Sequence, residues 1–299
     1  MDNLNGLFAF VRAAETLSFA AAGRSFGVSA SAVGKTIARL EQRLDVRLFQ
    51  RSTRRISLTA EGELFYERCR RIIDDLDDAE SMLSQTKETP RGRLRVSLPT
   101  IGYRFLLPYL PEFERLYPDI ELDLDFNDQM VNVIEEGFDA VIRSGDLPDS
   151  TLMARRLGPF RQVLVASSAY LKRKGTPNNI RDLQQHACLR YRFPTSGKLQ
   201  DWVLAGTAMG ADPRLPSVLT CNNMEALFGA TMRGLGIAYM PDFLVADAVK
   251  SGELQTLLDE CLVQTGQFWV LWPSNRHLSP KLRVFVDFIV PRLFIGPSL

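Results

Sequence analysis

Histidine is almost missing from this 299-residue chain: only His186 and His277 occur, so a zinc site built on imidazole is poorly supplied. Cysteine is scarce too. Cys69, Cys188, Cys221 and Cys261 are scattered and form no CxxC pair, which argues against a disulfide framework and suits reduced thiols in a cytoplasm. No apolar run approaches the ~18 residues of a membrane span, and no low-complexity tract interrupts the chain. The first residues, MDNLNGLFAFVRAAE, have no basic stretch ahead of an apolar core and do not read as a signal peptide. GxSxG, Walker A and a GxGxxG following a strand are also missing. The RGLGIA of Arg233–Ala238 has two glycines but precedes a strand. We therefore expect no enzyme, no cofactor, no metal site and no membrane partner.

What is present divides unevenly. At roughly 150 residues per domain the length suggests two domains or three. The net charge of +1 hides a separation. Residues 1–60 hold nine basic and four acidic side chains, whereas the rest holds 27 basic and 31 acidic. A basic head on an acidic body suggests a polyanion partner for the head alone.

In the head, Leu4, Leu7, Phe8 and Val11 predict a helix over 4–15. Ser18 is placed to cap a second helix that carries Leu17, Ala21, Ala22 and Phe26 and stops at Gly27. Ser29 can cap a third, with Val33, Ile37, Leu40 and Leu44 on its apolar face. Helix, tight glycine turn and helix make a helix-turn-helix, whose second helix enters a DNA major groove. Ser31, Lys35 and Arg39 then face outward at i, i+4 and i+8, suited to phosphates and guanine edges. A merely solvated face is the alternative. Gly34 is unusual there, since mid-helix glycine costs about 1 kcal/mol against alanine. It would let the helix backbone approach a base pair or sugar closely. The following LFQRSTRRISLT puts Arg51, Arg54 and Arg55 in a strand-like segment that reads as a β-wing on the phosphate backbone.

The run LSFAAAGRSFGVSASAVGKTIARLEQRLDVRLFQRSTRRISLTAEG resembles the winged helix-turn-helix of LysR-type transcriptional regulators over about 46 residues. The shared elements are Ser18-Phe19 with Ala21-Ala22, the S-x-S-A-V opening of the third helix, LE-x-x-L, LF-x-R and LT-x-x-G. Two positions depart: Gly34 stands where serine is common, and Asp45 where glycine is frequent. The resemblance implies a DNA-binding regulator with Ser29, Ser31, Gly34, Lys35, Arg39, Arg51, Arg54 and Arg55 as candidate DNA contacts.

From Ala60 to about Lys87 there is no proline and, after Gly62, no glycine. Thr59 can cap this helix, while Glu61 and Glu63 suit its N-terminal dipole. Phe65, Cys69, Ile72, Leu76, Ala79 and Leu83 recur at 4-3-4-3-4, a heptad seam. Packing on the chain's own body is the alternative; the resemblance favours a dimer, which the family commonly doubles into a tetramer. Pro90 and Gly92 then read as a hinge.

Beyond the hinge, strands alternate with helices, an α/β pattern. Strands are expected at 93–98, 120–126, 138–143, 161–167, 187–191, 218–221, 236–240 and 268–272. Helices are expected near 105–117, 129–136, 179–185, 223–233, 241–249 and 279–294. These residues leave open one large sheet or two small lobes. LPEFERLYPDIELDL, EGFDAVIRSG and GLGIAYMP resemble landmarks of the family's bilobed, periplasmic-binding-protein-like effector domain. The resulting plan is a winged helix-turn-helix at 1–59, a linker helix at 60–88, a hinge at 89–92 and an effector domain at 93–299. Its lobe I would comprise 93–165 plus 266–299, and lobe II 166–265. Thr100, Arg143, Asn222 and Asn223 would line the cleft, where helix N-termini and an arginine favour a small anion. Helix capping is the alternative for the asparagines, and a surface ion pair for Arg143. Implied partners are double-stranded DNA, a small-molecule effector, further copies of the chain, and RNA polymerase for an activator.

Overall fold

The computed structural model describes residues 2–51, 56–83, 89–145, 152–205, 215–262, 265–274 and 278–294. The chain divides into two compact units, Met1–Glu88 and Thr89–Leu299.

In the first unit, α1 (Asp2–Thr16), α2 (Phe19–Phe26) and α3 (Ala30–Leu44) precede a hairpin of β1 (Phe49–Arg51) and β2 (Ile56–Leu58) and the long α4 (Ala60–Leu83). Local chemistry sets the boundaries. The Ser18 hydroxyl accepts from Ala21 N at 3.2 Å, and Gly27 ends α2 in the left-handed region at φ 67°. Ser29 Oγ accepts from Ala32 N at 3.2 Å, and Thr59 Oγ1 accepts from Gly62 N at 2.9 Å. The core is Phe10, Ala13, Ala14, Ala22, Val33, Ile37, Leu40, Leu48, Phe49 and Cys69, among others. Leu4, Leu17, Phe26 and Leu44, expected on apolar faces, are exposed instead. Leu17 sits at φ 47° between two helices, which turns it away from the residues around it in sequence. Phe10 takes the central place, its ring 5.5 Å from Phe49 and 5.3 Å from Phe65.

The second unit starts with β3 (Gly92–Leu98). A broken helical segment follows: a 3-10 turn at Thr100–Gly102, α5 (Tyr103–Leu106), a second turn at Leu107–Tyr109, and α6 (Leu110–Leu116). One helix was expected over 105–117. Pro108 and Pro111 remove two N–H donors from it and divide it. Next come β4 (Ile120–Phe126), β5 (Ala140–Ser144), β6 (Leu152–Ser167) and α7 (Ser168–Lys174). After them are β7 (Cys188–Tyr191), β8 (Ser217–Cys221), α8 (Met224–Met232), β9 (Ile237–Pro241), α9 (Asp242–Lys250), β10 (Leu254–Leu257), β11 (Thr265–Pro273) and α10 (Pro280–Ile289). The helix expected at 129–136 is a run of turns. Asn132 Oδ1 accepts from Ile134 N at 3.2 Å and Glu135 N at 3.3 Å, an asparagine turn that competes with helix formation. The 179–185 segment is a 3-10 helix, Ile180–Gln185.

Strand order is β4-β3-β5-β11-β6-β9-β7-β8, with β10 also on β6. The nine strands are linked in one sheet, whose two halves, lobes I and II, share the 16-residue β6. Its first part, through Arg161, pairs with β11. From Gln162 onward it pairs with β9 on one side and, from Leu164, with β10 on the other. The change of partner falls between Arg161 and Gln162, ahead of the expected lobe boundary at 165. Lobe I packs α6 and α10 on its sheet around Leu94, Val96, Phe113 and Phe285. Lobe II has a core on each sheet face, one with α8 and α9 and the other around Tyr170, Trp202 and Tyr239. Among the described residues no helix is long and apolar enough to cross a membrane.

Candidate functional site

Two regions collect the residues singled out from the sequence. The first is the outer face of α3. Val33, Ile37 and Leu40 are buried, and Ser31, Lys35 and Arg39 are exposed, as their spacing requires. Ser29 Oγ lies 2.9 Å from Ser31 Oγ, so the cap and the first outward hydroxyl are hydrogen-bonded. Gly34 is half-buried; a Cβ placed there would come no nearer than 3.8 Å to a neighbour, Phe19 Cδ2. Internal packing therefore does not demand a glycine here.

Around this face the exposed Arg24, Lys35, Arg39, Arg43 and Arg47 make no ion pair among the described residues, in contrast to Arg12 and Arg70, which both pair with Glu15. Arg51 lies in β1 opposite Ile56, but its side chain is outside the described residues, as are Arg54 and Arg55. Sequence reasoning missed the role of Glu41. Its Oε1 accepts from Leu48 N at 2.8 Å and Phe49 N at 3.1 Å, tying α3 to the base of the hairpin. The LE pair in the motif was the signal that could have pointed to it.

The seam on α4 needs correcting. Phe65 packs on Phe10 of its own chain, and Cys69 is fully buried in the head core. Burial pushes the Cys69 thiol up to about 11. Cys69 is closed off from a partner helix by the head core, and Phe65 is half-buried against Phe10 of α1. Ile72 is half exposed, Leu76 half-buried and Leu64 strongly exposed. The side chains of Ala79 and Leu83 are outside the described residues.

The second region lies where β3, β4 and β5, all parallel, reach their carboxyl ends. Arg143 at the end of β5 donates from Nη2 to Ser97 Oγ (2.8 Å) and to Gln129 O (3.3 Å), and from Nη1 to Ile142 O (2.8 Å). Thr100 N donates to Asp128 Oδ1 at 2.8 Å, and Ser97 Oγ donates to Asp125 Oδ2 at 3.1 Å. Burial pulls the Arg143 guanidinium below its usual range, against the charges of Asp125, Asp128 and Glu136. Lobe II faces this wall. Burial, then the charges of Asp128 and Cys221, push the Tyr191 phenol well up, and Met130 N donates to Thr195 Oγ1 at 3.0 Å across the lobes. Asn223 caps α8, its Oδ1 2.8 Å from Ala226 N, and Asn222 is exposed beside it.

Thr100 and Arg143 thus stand together at the strand ends, joined through Asp128 and Ser97, and the asparagines lie just ahead of α8. Asn223 is engaged as a cap. Arg143 makes no surface ion pair among the described residues. Ser97, Asp125 and Asp128 were missed, although LDLDFND at the end of a strand could have pointed to them. A direct interlobe tie was also missed. Arg104 of α5 makes two hydrogen bonds with Glu225 of α8, at 3.0 and 2.9 Å, with its guanidinium over the rings of Tyr103 and Phe228.

Residues 4–63 match the model of the bacterial regulatory helix-turn-helix protein, lysR family, and residues 87–293 match the LysR substrate binding domain. The chain is 35% identical over 294 residues to the HTH-type transcriptional regulator CrgA of Neisseria meningitidis, covering 97% of each. It is 34% identical over 283 residues to an HTH-type transcriptional regulator of Haemophilus influenzae, covering 94% of this chain and 98% of that one. Among solved structures, CrgA superposes with a TM-score of 0.63 at 34% identity, over 96% of this chain and 97% of its own. The Vibrio cholerae virulence activator AphB gives 0.53 at 26% identity, over 96% and 98%.

Proposed function

This chain belongs to the LysR family of bacterial helix-turn-helix regulators, and from that premise we propose how its own residues divide the work. It is a transcriptional regulator with a DNA-binding head and an effector-binding α/β domain. On our reading α3 lies in a major groove with Ser31, Lys35 and Arg39 toward the bases. Arg24, Arg43 and Arg47 neutralise phosphates beside it, together with the wing arginines Arg51, Arg54 and Arg55. The observation that carries this is the set of five exposed cations without a carboxylate partner among the described residues, around one uncharged helix opening. Surface cations on a body rich in acids ordinarily find partners; a polyanion supplies the missing ones.

The same reading pairs two chains through the outer flank of α4, where Leu64 and Ile72 are exposed (74% and 50%) and Leu76 is half-buried. A small effector in the cleft between lobes I and II biases their arrangement, because only a ligand that binds one arrangement better can shift the balance. A cytoplasmic location follows from a partner that is chromosomal DNA.

Fluorescence anisotropy of the full chain on labelled duplexes, repeated over a salt series, tests the division. Lys35→Ala and Ser31→Ala should change preference between sites. Arg43→Ala and Arg47→Ala should weaken all duplexes alike and lower the log–log salt slope by about 0.9 for each phosphate that is no longer neutralised. Binding that does not respond to salt would remove the basis of the reading.

A further inference from the structure

We infer that the effector is a small zwitterion, a molecule that carries an ammonium group beside a carboxylate. This rests on the reading of the interlobe cleft as the effector site.

The starting point is how charge is held there. Arg143, Asp125 and Asp128 stand together at the carboxyl ends of three parallel strands, yet none of them makes an ion pair among the described residues. Neutral groups occupy the positions between them. The Ser97 hydroxyl accepts from Arg143 and gives its own proton to Asp125. The Thr100 amide occupies one oxygen of Asp128, and the Gln129 carbonyl takes another guanidinium proton.

Elsewhere in the domain, opposite charges touch directly. Arg93 and Arg95 reach Asp123 at 2.7 and 2.8 Å, Arg104 reaches Glu225 at 2.9 Å, and Arg292 reaches Glu112 at 2.8 Å. The cleft therefore keeps a cation and two carboxylates apart, each held by neutral partners. Such separated charges are ready to pair with a ligand that brings both signs.

A single-sign ligand fits poorly. A plain carboxylate would satisfy Arg143 and gain from the N-terminus of the nine-residue α8. It would also stand against Asp125, Asp128 and Glu136, all of which act on Arg143, and like charges at short range disfavour one another strongly in a half-buried site. A plain amine meets the reverse conflict with Arg143. A zwitterion places its carboxylate on the guanidinium and its ammonium on the remaining oxygens of Asp125 and Asp128. Across the cleft, Thr195 presents a hydroxyl group that carries no fixed charge.

The test uses the full-length protein and matched sets of probes on one carbon skeleton: an amino acid, the carboxylic acid lacking its amine, and the amine lacking its carboxylate. Alanine, leucine, phenylalanine, glutamate, lysine and γ-aminobutyrate start such sets, followed by thermal shift and then titration calorimetry. Expected is at least one amino acid that binds about ten-fold or more tightly than both of its single-charge relatives, the factor worth one step of 1.4 kcal/mol. Asp128→Asn keeps an oxygen for the Thr100 amide and should erase the preference for the amino acid over the carboxylate. Arg143→Gln should erase that over the amine. Unliganded melting of each variant shows whether it is folded, and Asp125→Asn replaces Asp128→Asn where that variant is not. A carboxylate binding as tightly as its amino acid, with loss in Arg143→Gln, would leave the cleft as the effector site and overturn the zwitterion. A probe whose binding ignores all three substitutions would overturn the cleft itself. No stabilisation by any amino acid of the panel would overturn the inference.

Discussion

Replacing Gly34 by alanine should make this protein more stable and a weaker DNA binder at once. Gly34 lies in the interior of α3, where glycine costs about 0.5–1 kcal/mol relative to alanine because the unfolded chain has more freedom to lose. The new methyl would meet only Phe19 Cδ2, at an ordinary contact distance of 3.8 Å. A half-buried methyl adds about 0.4 kcal/mol, half of the ~0.8 for full burial. The stability gain is then about 1 kcal/mol. Two other helical glycines of the head behave oppositely: a Cβ at Gly23 would lie 2.5 Å from Val28 O, and one at Gly62 only 2.0 Å from Leu48 O. Those two are required by close backbone packing, and Gly34 is not. Its remaining open side is the side that faces DNA on our reading, where a methyl group holds the helix off the duplex and should cost roughly ten-fold in affinity, or about 1.4 kcal/mol. Urea denaturation followed by circular dichroism reads the first effect, with hydrogen exchange of α3 to assign it to the head; anisotropy on a duplex reads the second. A less stable Gly34→Ala protein would refute the packing argument. A stabilised protein with unchanged DNA affinity would refute the close approach.

Two further outcomes are expected. Asp45 caps α3 in the left-handed region at φ 53°, so Asp45→Gly should raise stability by about 0.5–1 kcal/mol, relieving the backbone and removing a negative charge from the helix C-terminus; a lower denaturation midpoint would mean that the aspartate makes up for its conformation. Glu225→Gln should lose about 1–2 kcal/mol of stability, because a bidentate pair some 24–32% exposed is only partly screened. Burial pushes the Glu225 carboxyl up, but the hydrogen bonds from Arg104 and Tyr103 outweigh it and hold it below the usual glutamate range. The stabilisation is therefore present above the ordinary glutamate pKa and lost as the pH falls through the lowered one. Melting profiles of the two proteins should converge in acid, and parallel profiles would show that the pair contributes nothing.

Local signals were legible wherever neighbours in sequence settle the structure. Ser18, Gly27 and Ser29 mark helix ends because a cap uses donors two or three residues away, and Val33, Ile37 and Leu40 share a face because the helical period is fixed. The strand 120–126 was readable to the residue from its alternation and its flanks. The exposed face of α3, and with it the DNA-binding reading, followed from the same periodicity.

Other features needed the folded chain. Leu4 and Phe10 are both apolar, and only the approach of Phe49 and Phe65 makes Phe10 the core residue. Cys69 fits a heptad seam as well as any position, yet the head closes over it, since burial depends on what arrives from elsewhere. The sharing of β6 between two lobes is set by pairing with β9, β10 and β11, all of them segments far later in the chain. Arg143 read from the sequence is a positive charge suited to an anion. In the fold it acts with Asp125 and Asp128, contributed by β4, one strand beyond the intervening β3, and by the loop after β4. A residue's charge is written in its side chain, whereas the field it sits in is the sum over groups that only tertiary structure brings within a few ångströms.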